Sequence, residues 1–569
     1  MKKLLQYLKD YKLESVLAPL FKMLEASFEL FVPLVVAQII DRGIANNDYG
    51  YIVRMCLVLV ALGIIGLVCS VTAQFFAAKA AVGFSTKLRH ALFAHIQSLS
   101  HREIDSLGTS TLITRMTSDI NQTQSGVNLF LRLFLRSPFV VFGAMIMAFT
   151  IDVPSALVFA VAIPVLAIVV FGIMLVTMPL YKKTQNALDV ITRKTRENIT
   201  GARVIRAFRM EDREIEDFNE KSGALVKLQK HVGAISALMN PLTYVLINAA
   251  VIALIYCGAL RVDAGALTQG QVVALYNYMS QILVELIKLA NMIITLTKAL
   301  ACANRISAIF DEKSSLENGT EVSGISGAPA VEFENAALTY SGSSGAAVER
   351  ISFRAERGDT IGIIGGTGSG KTSLISLIPR FYDTSDGRVL VDGRDVREYD
   401  IDALRAKIGV VPQKAVLFKG TIMSNMKWGA QDADQAAIDK AVAAAQAEDV
   451  VRAKDGYEAE VEQGGANFSG GQKQRLTIAR ALAKKPEILI LDDSASALDF
   501  ATDARLRKAI ASLETKPTVF IVSQRAASVM HADKIIVLDD GEPAGMGTHD
   551  ELMENCDIYR EIYNSQFGA

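Results

Sequence analysis

Cysteine and histidine are scarce in this sequence, five and six among 569 residues. Cys56, Cys69, Cys257, Cys302 and Cys556 form no CxxC pair and no framework of even pairs, which excludes a disulfide scaffold. The histidines do not cluster with them, which argues against a metal site built on these residues. The cysteines read instead as small buried hydrophobes in a reducing or membrane setting. Net charge is equally slight, −1 from 59 basic and 60 acidic residues. With 51% hydrophobic and 21% charged residues, disorder and fibre are both excluded. At this length several domains are expected. The opening Met1-Lys-Lys-Leu-Leu-Gln-Tyr-Leu-Lys9 lacks the apolar core of a signal peptide and reads as an amphipathic segment on a membrane surface.

The small net charge averages two unlike halves. Residues 1–329 hold 31 basic and 24 acidic residues, and the remainder 28 and 36. The basic half also contains charge-free runs at 55–78, 153–181, 231–260 and 264–284. Runs above about 18 such residues read as membrane-spanning helices. Six spans are expected, at about 16–40, 55–80, 129–151, 154–181, 234–260 and 268–295. The first is interrupted by Lys22, Glu25 and Glu29, and the third reaches full length only through Arg132 and Arg136. The alternative, a buried helical core, needs fewer runs of this length. Short connections near 43–50, 152–154 and 261–269 carry one Lys or Arg between them, whereas 182–230 alone carries twelve. An excess of Lys and Arg marks the cytoplasmic side, so both termini are expected in the cytoplasm.

The acidic half follows a Ser-, Gly- and Glu-rich linker at 311–329. An apolar strand, 360–364, runs into Gly365, Gly366, Thr367, Gly368, Ser369, Gly370, Lys371 and Thr372, then an apolar helix. This is G-x-x-x-x-G-K-T in the strand–loop–helix setting of a phosphate loop. Its glycines let successive N–H groups face phosphates, Lys371 neutralises them, and the Thr372 hydroxyl suits Mg²⁺. A second apolar strand ends at Asp492, a carboxylate suited to holding Mg²⁺ through its water shell. Between them, Phe468, Ser469, Gly470, Gly471 and Gln472 open an amphipathic helix, a further anion site. One chain seldom needs two such sites for one nucleotide, so this one is expected to serve a nucleotide held by a second subunit.

In this order the motifs resemble the nucleotide-binding domain of an ATP-binding cassette (ABC) transporter. Val411-Pro-Gln413 matches the family's glutamine loop, 468–472 its signature, Ser496-Ala-Leu-Asp499 its D-loop and Val522-Ser-Gln-Arg525 its switch segment. The resemblance implies ATP and Mg²⁺, with Thr372, Gln413 and Asp492 at the metal and Asp499 beside the nucleotide. It also implies Tyr340 stacked on adenine; an ordinary strand-end tyrosine and a solvated Gln413 are the plainer alternatives. Six spans before one cassette resemble an exporter half-transporter. Arg115-Met-Thr-Ser-Asp119 and Glu197-Asn-Ile-Thr-Gly-Ala-Arg-Val-Ile-Arg-Ala-Phe208 resemble segments of its two intracellular loops. Basic loops would dock on an acidic cassette, although the positive-inside bias alone also accounts for them. The fold class expected is therefore an all-α six-helix transmembrane domain (1–310), the linker, and an α/β P-loop nucleotide-binding domain (330–569).

Two departures fall on catalysis. Asp493 stands where the family places a water-polarising glutamate, and Gln524 where it places a γ-phosphate-contacting histidine. Asp is one methylene shorter, and Gln carries no charge. Together with Gln413, this catalytic set is expected to bind ATP and hydrolyse it poorly. The intact signature then implies a second, non-identical subunit that supplies the missing groups. The pattern is similar to the degenerate-site subunit of bacterial heterodimeric ABC multidrug exporters, which places the chain in a bacterial inner membrane, among lipids. A lipid or siderophore-type transporter, or an ATP-gated homodimeric regulator that pumps nothing, are the alternatives. No nucleic acid is expected as a partner. On the last span Asn277, Gln281, Glu285 and Lys288 share one helical face, as Glu25 and Glu29 do with Lys22 on the first. Glu285 and Glu29 fall at comparable depths, roughly 20 Å in. They are candidates for a cavity attractive to cationic amphiphiles; interhelical pairing, or helix reaching into the cytoplasm, is the alternative.

Overall fold

The computed structural model describes residues 3–343 and 345–567; Met1 and Lys2 of the amphipathic opening lie outside it. The chain divides into two compact units. One contains the residues up to Gln97 together with Ser110–Glu312; the other contains Ser98–Thr109 together with the chain from Lys313 onward.

The first unit is helical. Among the described residues, six stretches are long and apolar enough to cross a bilayer: Leu4–Ile44, Tyr49–Ser98, Thr109–Ile151, Val153–Thr200, Glu211–Asp263 and Gln269–Asp311. Each runs past the apolar run that marks it. The connection read as a loop at 182–230 is mostly helix. Hydropathy marks only the depth of the bilayer, whereas a helix satisfies its own backbone and continues into water without cost. Lys22 does not break the first helix, Lys12–Gln38, because its ammonium is held by Glu25 at 2.5 Å and the Ser70 hydroxyl at 3.0 Å. The third stretch is broken between Ile120–Leu133 and Arg136–Ile151. Pro138 has no N–H for the Phe134 carbonyl, which explains a break there. The helix Gln269–Asp311 packs against both of these segments and against Lys12–Gln38. The approach is close: a Cβ on Gly126 would lie 2.2 Å from the Ala299 side chain, the small-residue contact common between membrane helices.

The second unit is α/β. Its central sheet runs in the order Glu542–Gly547, Lys534–Asp539, Thr360–Gly365, Thr518–Val522, Ile488–Asp492, Ile408–Val411, parallel except for the first pair. Val519 and Ile521 face one apolar core, and Phe520 and Val522 the other. Burial on both faces accounts for the unbroken apolar runs in these strands. A smaller antiparallel sheet covers the second core, in the order Val348–Ala355, Val331–Leu338, Asp386–Val391, Arg394–Asp395. The Ser-rich segment read as a linker is laid along this unit. Gly319 N–H donates to the Tyr399 carbonyl at 3.0 Å and Ile325 N–H to that of Asp392 at 2.8 Å. The short helix His101–Leu107 also belongs here, with His101 4.5 Å from the Phe381 ring.

Candidate functional site

The strands Thr360–Gly365, Ile488–Asp492 and Thr518–Val522 end together, and the loops leaving them form one cleft of about 350 Å³. Crevices beyond the carboxyl ends of parallel strands are where open α/β sheets bind ligands. The cleft is lined by Tyr340, Thr367, Gly368, Gly370, Lys371, Thr372, Gln413, Asp492, Asp493 and Gln524 among others. The structure thus brings together residues that the sequence scatters over nearly two hundred positions.

The phosphate loop is shaped by its glycines. Gly370 has φ +92°, and a Cβ there would lie 2.4 Å from the Ala347 carbonyl, so only glycine fits. It precedes the helix Lys371–Ser376. The buried Lys371 ammonium folds back on the loop, donating to the Gly365 carbonyl at 2.9 Å, the Gly366 carbonyl and the Ser369 hydroxyl at 3.2 Å. Burial holds this amine below the ordinary lysine range, against the pull of Asp493 and Asp492. The Thr372 hydroxyl lies 3.1 Å from both oxygens of Asp492. Burial, reinforced by the neighbouring Asp493, pushes the Asp492 carboxyl above the usual carboxylate range. A carboxylate this enclosed, bonded by a hydroxyl and next to a second acid, is short of positive charge.

That donor set fits Mg²⁺. The ion takes hard oxygen ligands, keeps several waters and shares the rest of its shell with phosphates. Among the described residues no group of three His, Cys, Asp or Glu could hold a metal. Gln413 donates to Asp493 at 3.4 Å. Asp493 has φ +45° and gives its N–H to the Val522 carbonyl at 3.0 Å. Gln524 is exposed, and its carbonyl accepts from Gln566 of the last helix at 2.8 Å. The Tyr340 hydroxyl donates to Ser373 at 3.0 Å, and its ring meets Tyr382 edge-on at 5.1 Å.

The signature lies outside this cleft. Ser469 caps the helix Gly470–Ala483 by a reciprocal capping box with Gln472. Phe468 is buried under the Lys454 ammonium, 5.1 Å from its ring. A Cβ on Gly471 would lie 3.0 Å from the Ala497 carbonyl, so the D-loop abuts the signature. Asp499 caps the next helix, Phe500–Ala511; the Thr502 N–H and hydroxyl hold its carboxyl below the usual range. Sequence reading quoted Arg525 without a role. Its guanidinium donates to the carbonyls of Ala495 (3.2 Å), Ser496 (3.2 Å) and Leu498 (3.1 Å), tying the switch segment to the D-loop. A single Arg after the switch residue was the available signal, but nothing in its spacing names those carbonyls.

On the membrane helices, Glu29 and Glu285 are brought to one guanidinium. Arg136 donates to Glu285 at 2.5 Å and to Glu29 at 2.6 Å. Glu285 also accepts from Ser137 and Lys288, each at 2.8 Å. The pairing alternative thus describes these acids, as it does Glu25 with Lys22. Asn277 is half-buried on the same face, and Gln281 has its buried Oε1 without a hydrogen-bond partner.

Comparison with known proteins finds the same two parts in the same order. The ABC transporter transmembrane-region profile matches residues 15–286 and the ABC transporter profile residues 348–496. An uncharacterized ABC transporter ATP-binding protein of Mycobacterium tuberculosis is 36% identical over 570 residues, covering 99% of this chain and 97% of that protein. A Bacillus subtilis protein provisionally named a multidrug export ATP-binding/permease protein is 32% identical over 581 residues, covering 100% and 99%. A solved bacterial Atm1-family ABC exporter with ATP bound shares the fold at TM-score 0.80 and 22% identity, covering 98% of each chain.

Proposed function

The chain belongs to the ABC transporter family as an exporter-type half-transporter, and from that premise we propose that it works beside a second, non-identical half. Its own phosphate loop binds ATP and hydrolyses it poorly. Its signature completes the hydrolytic site of the partner. One observation carries this reading: a fully built signature, with Ser469 and Gln472 in their capping box, stands in the same chain as Asp493 and Gln524. The second membrane stretch, Tyr49–Ser98, has little of its apolar length covered within this chain, which supports a membrane unit made of two.

ATP with Mg²⁺, when bound, supplies the reacting phosphoryl group and the charge that matches Asp492. Lys371 would exchange the loop carbonyls for phosphate, and Thr372 and Asp492 would hold the ion. Gln413 and Asp493, bonded to each other, would serve the attacking water. Asp493 is too short to place a water as a glutamate does, and a 1 Å displacement costs on the order of a hundredfold. Gln524 donates a hydrogen bond to phosphate but no charge. Bound nucleotide in this site acts as a clamp. Hydrolysis at the partner's phosphate loop resets the pair and drives small amphipathic molecules, cationic ones included, outward. The membrane is a bacterial inner membrane, with both termini and the basic helices on the cytoplasmic side.

The test is the purified two-chain complex with the Mg²⁺-site carboxylate replaced in one chain at a time. Asp492→Asn here should leave most of the turnover, and the equivalent change in the partner should abolish it. Equal collapse from either side would end the asymmetric reading, and a strict homodimer on native mass measurement would end it sooner.

A further inference from the structure

We infer that Arg136 is a tethered counter-ion standing in the place of a cationic substrate, and that Arg136 and Glu29 together set the charge preference of the transported molecule. The inference rests on the exporter reading above and names the chemistry of its substrate site.

Three acids and three bases meet among the membrane helices: Glu25, Glu29 and Glu285 with Lys22, Arg136 and Lys288. Their formal charges cancel, so the cluster as it stands has no net attraction for a cation. The two acids on Arg136 are unlike, however. Glu285 has a side chain 4% exposed and is held by Arg136, Ser137 and Lys288. Glu29 has a side chain 42% exposed, and among the described residues its bonded partner is Arg136. A charge that costs much to bury alone is therefore secured at Glu285 and only lent at Glu29.

The guanidinium has somewhere to go. It divides its two terminal nitrogens between two carboxylates, and its buried Nε has no acceptor. Turning wholly onto Glu285 would use Nε in a side-on, two-bond pair, the stronger arginine–carboxylate geometry. Glu29 would then be an exposed carboxylate in an apolar setting, and an organic cation would restore neutrality. A neutral amphiphile gains nothing from this exchange. Arg136 is thus a specificity-determining residue that keeps Glu29 neutralised between transport cycles.

The test uses the complete exporter, purified with its partner, and direct binding of two probes: tetraphenylphosphonium and an uncharged steroid. Glu29→Gln should weaken the cation about tenfold or more and leave the steroid unchanged. Arg136→Lys, which keeps the charge but cannot span both acids, should tighten the cation several-fold, again without effect on the steroid. The unchanged steroid affinity in both variants separates the effect from misfolding. Equal losses for both probes, or a cation affinity indifferent to Glu29, would overturn the inference and leave the exporter reading standing. A complex that turns over ATP yet binds neither probe would overturn both the inference and the amphiphile part of that reading.

Discussion

Two buried charge clusters, one in each unit, solve the same electrostatic problem in opposite ways. In the membrane-helix cluster each of three acids has a protein cation within 3 Å: Glu25 has Lys22, Glu29 and Glu285 have Arg136, and Glu285 has Lys288 as well. In the cassette, Asp492 accepts from the Thr372 hydroxyl, while Lys371 spends its donors on the loop's own carbonyls and Ser369. The first cluster supplies its own cations, so a ligand cation must compete with Arg136 for Glu29. The second is left short of a cation and so is built for a ligand. Burying charge is costly in both places, and whether the chain supplies the counter-charge decides which cluster is neutral at rest and which waits for a ligand's cation.

The sharpest way to break the contrast is to remove the shared guanidinium. Arg136→Leu leaves Glu29 without a protein cation and Glu285 with Lys288 and Ser137 alone, and should cost about 3 kcal/mol in the membrane unit. A large fall in the thermal midpoint of the purified complex would register it. Glu29→Gln with Arg136→Leu and Glu285→Gln should recover most of that loss, because neutral groups need no partner. In the cassette the same kind of deletion should act on ligand and not on fold. Lys371→Ala should leave the ligand-free midpoint nearly unchanged and weaken nucleotide binding at this phosphate loop by about 2–3 kcal/mol, the range of a charge-assisted hydrogen bond. Titration with a fluorescent ATP analogue reads this directly, and an unfolded Lys371→Ala cassette would make its cluster structural after all.

The two clusters also differ in how plainly they stand in the sequence. The phosphate loop, the strand ending at Asp492 and the signature are local patterns, fixed by backbone needs at a few consecutive residues, and their order alone suggested one site. Depth along two helices was legible as well, since a fixed rise per residue put Glu29 and Glu285 at one level. The bond between them was not. Arg136 was visible only as a charge at the start of a span, and periodicity cannot name a partner on another helix. For the same reason the carbonyl contacts of Arg525 and the attachment of Ser98–Thr109 to the second unit were out of reach. Helix ends were misjudged because hydropathy reports the bilayer and not the backbone, so 182–230 looked like loop while it continued as helix.

Within the cassette a smaller contrast runs between Lys371, Thr372 and Asp492 on one side of the cleft and Asp493 and Gln524 on the other. Asp493→Glu with Gln524→His should raise hydrolysis at this chain's own phosphate loop on the order of tenfold to a hundredfold, the size of a roughly 1 Å correction to a catalytic group. It should be measured with the partner's site disabled, so that only this one contributes. No gain would mean that other parts of the cleft, such as the left-handed Asp493 backbone, hold the site inactive.

The smallest effect concerns Asp492 itself and turns on its sign. Burial raises this carboxyl above its ordinary range in the folded chain. A folded acid with a raised pKa holds its proton to higher pH than the unfolded chain does. Its contribution to stability is therefore fully present below the unfolded value, and is lost as pH rises through the folded one. At neutral pH the ligand-free cassette bears this penalty, and Mg²⁺ with nucleotide relieves it. Asp492→Asn removes the charge, so the ligand-free midpoint should rise at pH 7.5 by about 2–4 °C, the shift expected for ~1 kcal/mol in a domain of this size. The advantage should shrink as pH is lowered and wild type regains its proton. Added Mg²⁺ and ATP should reverse the order, stabilising wild type through the restored carboxylate and the variant much less. A variant less stable than wild type without ligand at pH 7.5 would show that the Thr372 bond outweighs the cost of the charge, and that this cluster is as self-sufficient as the one on Arg136.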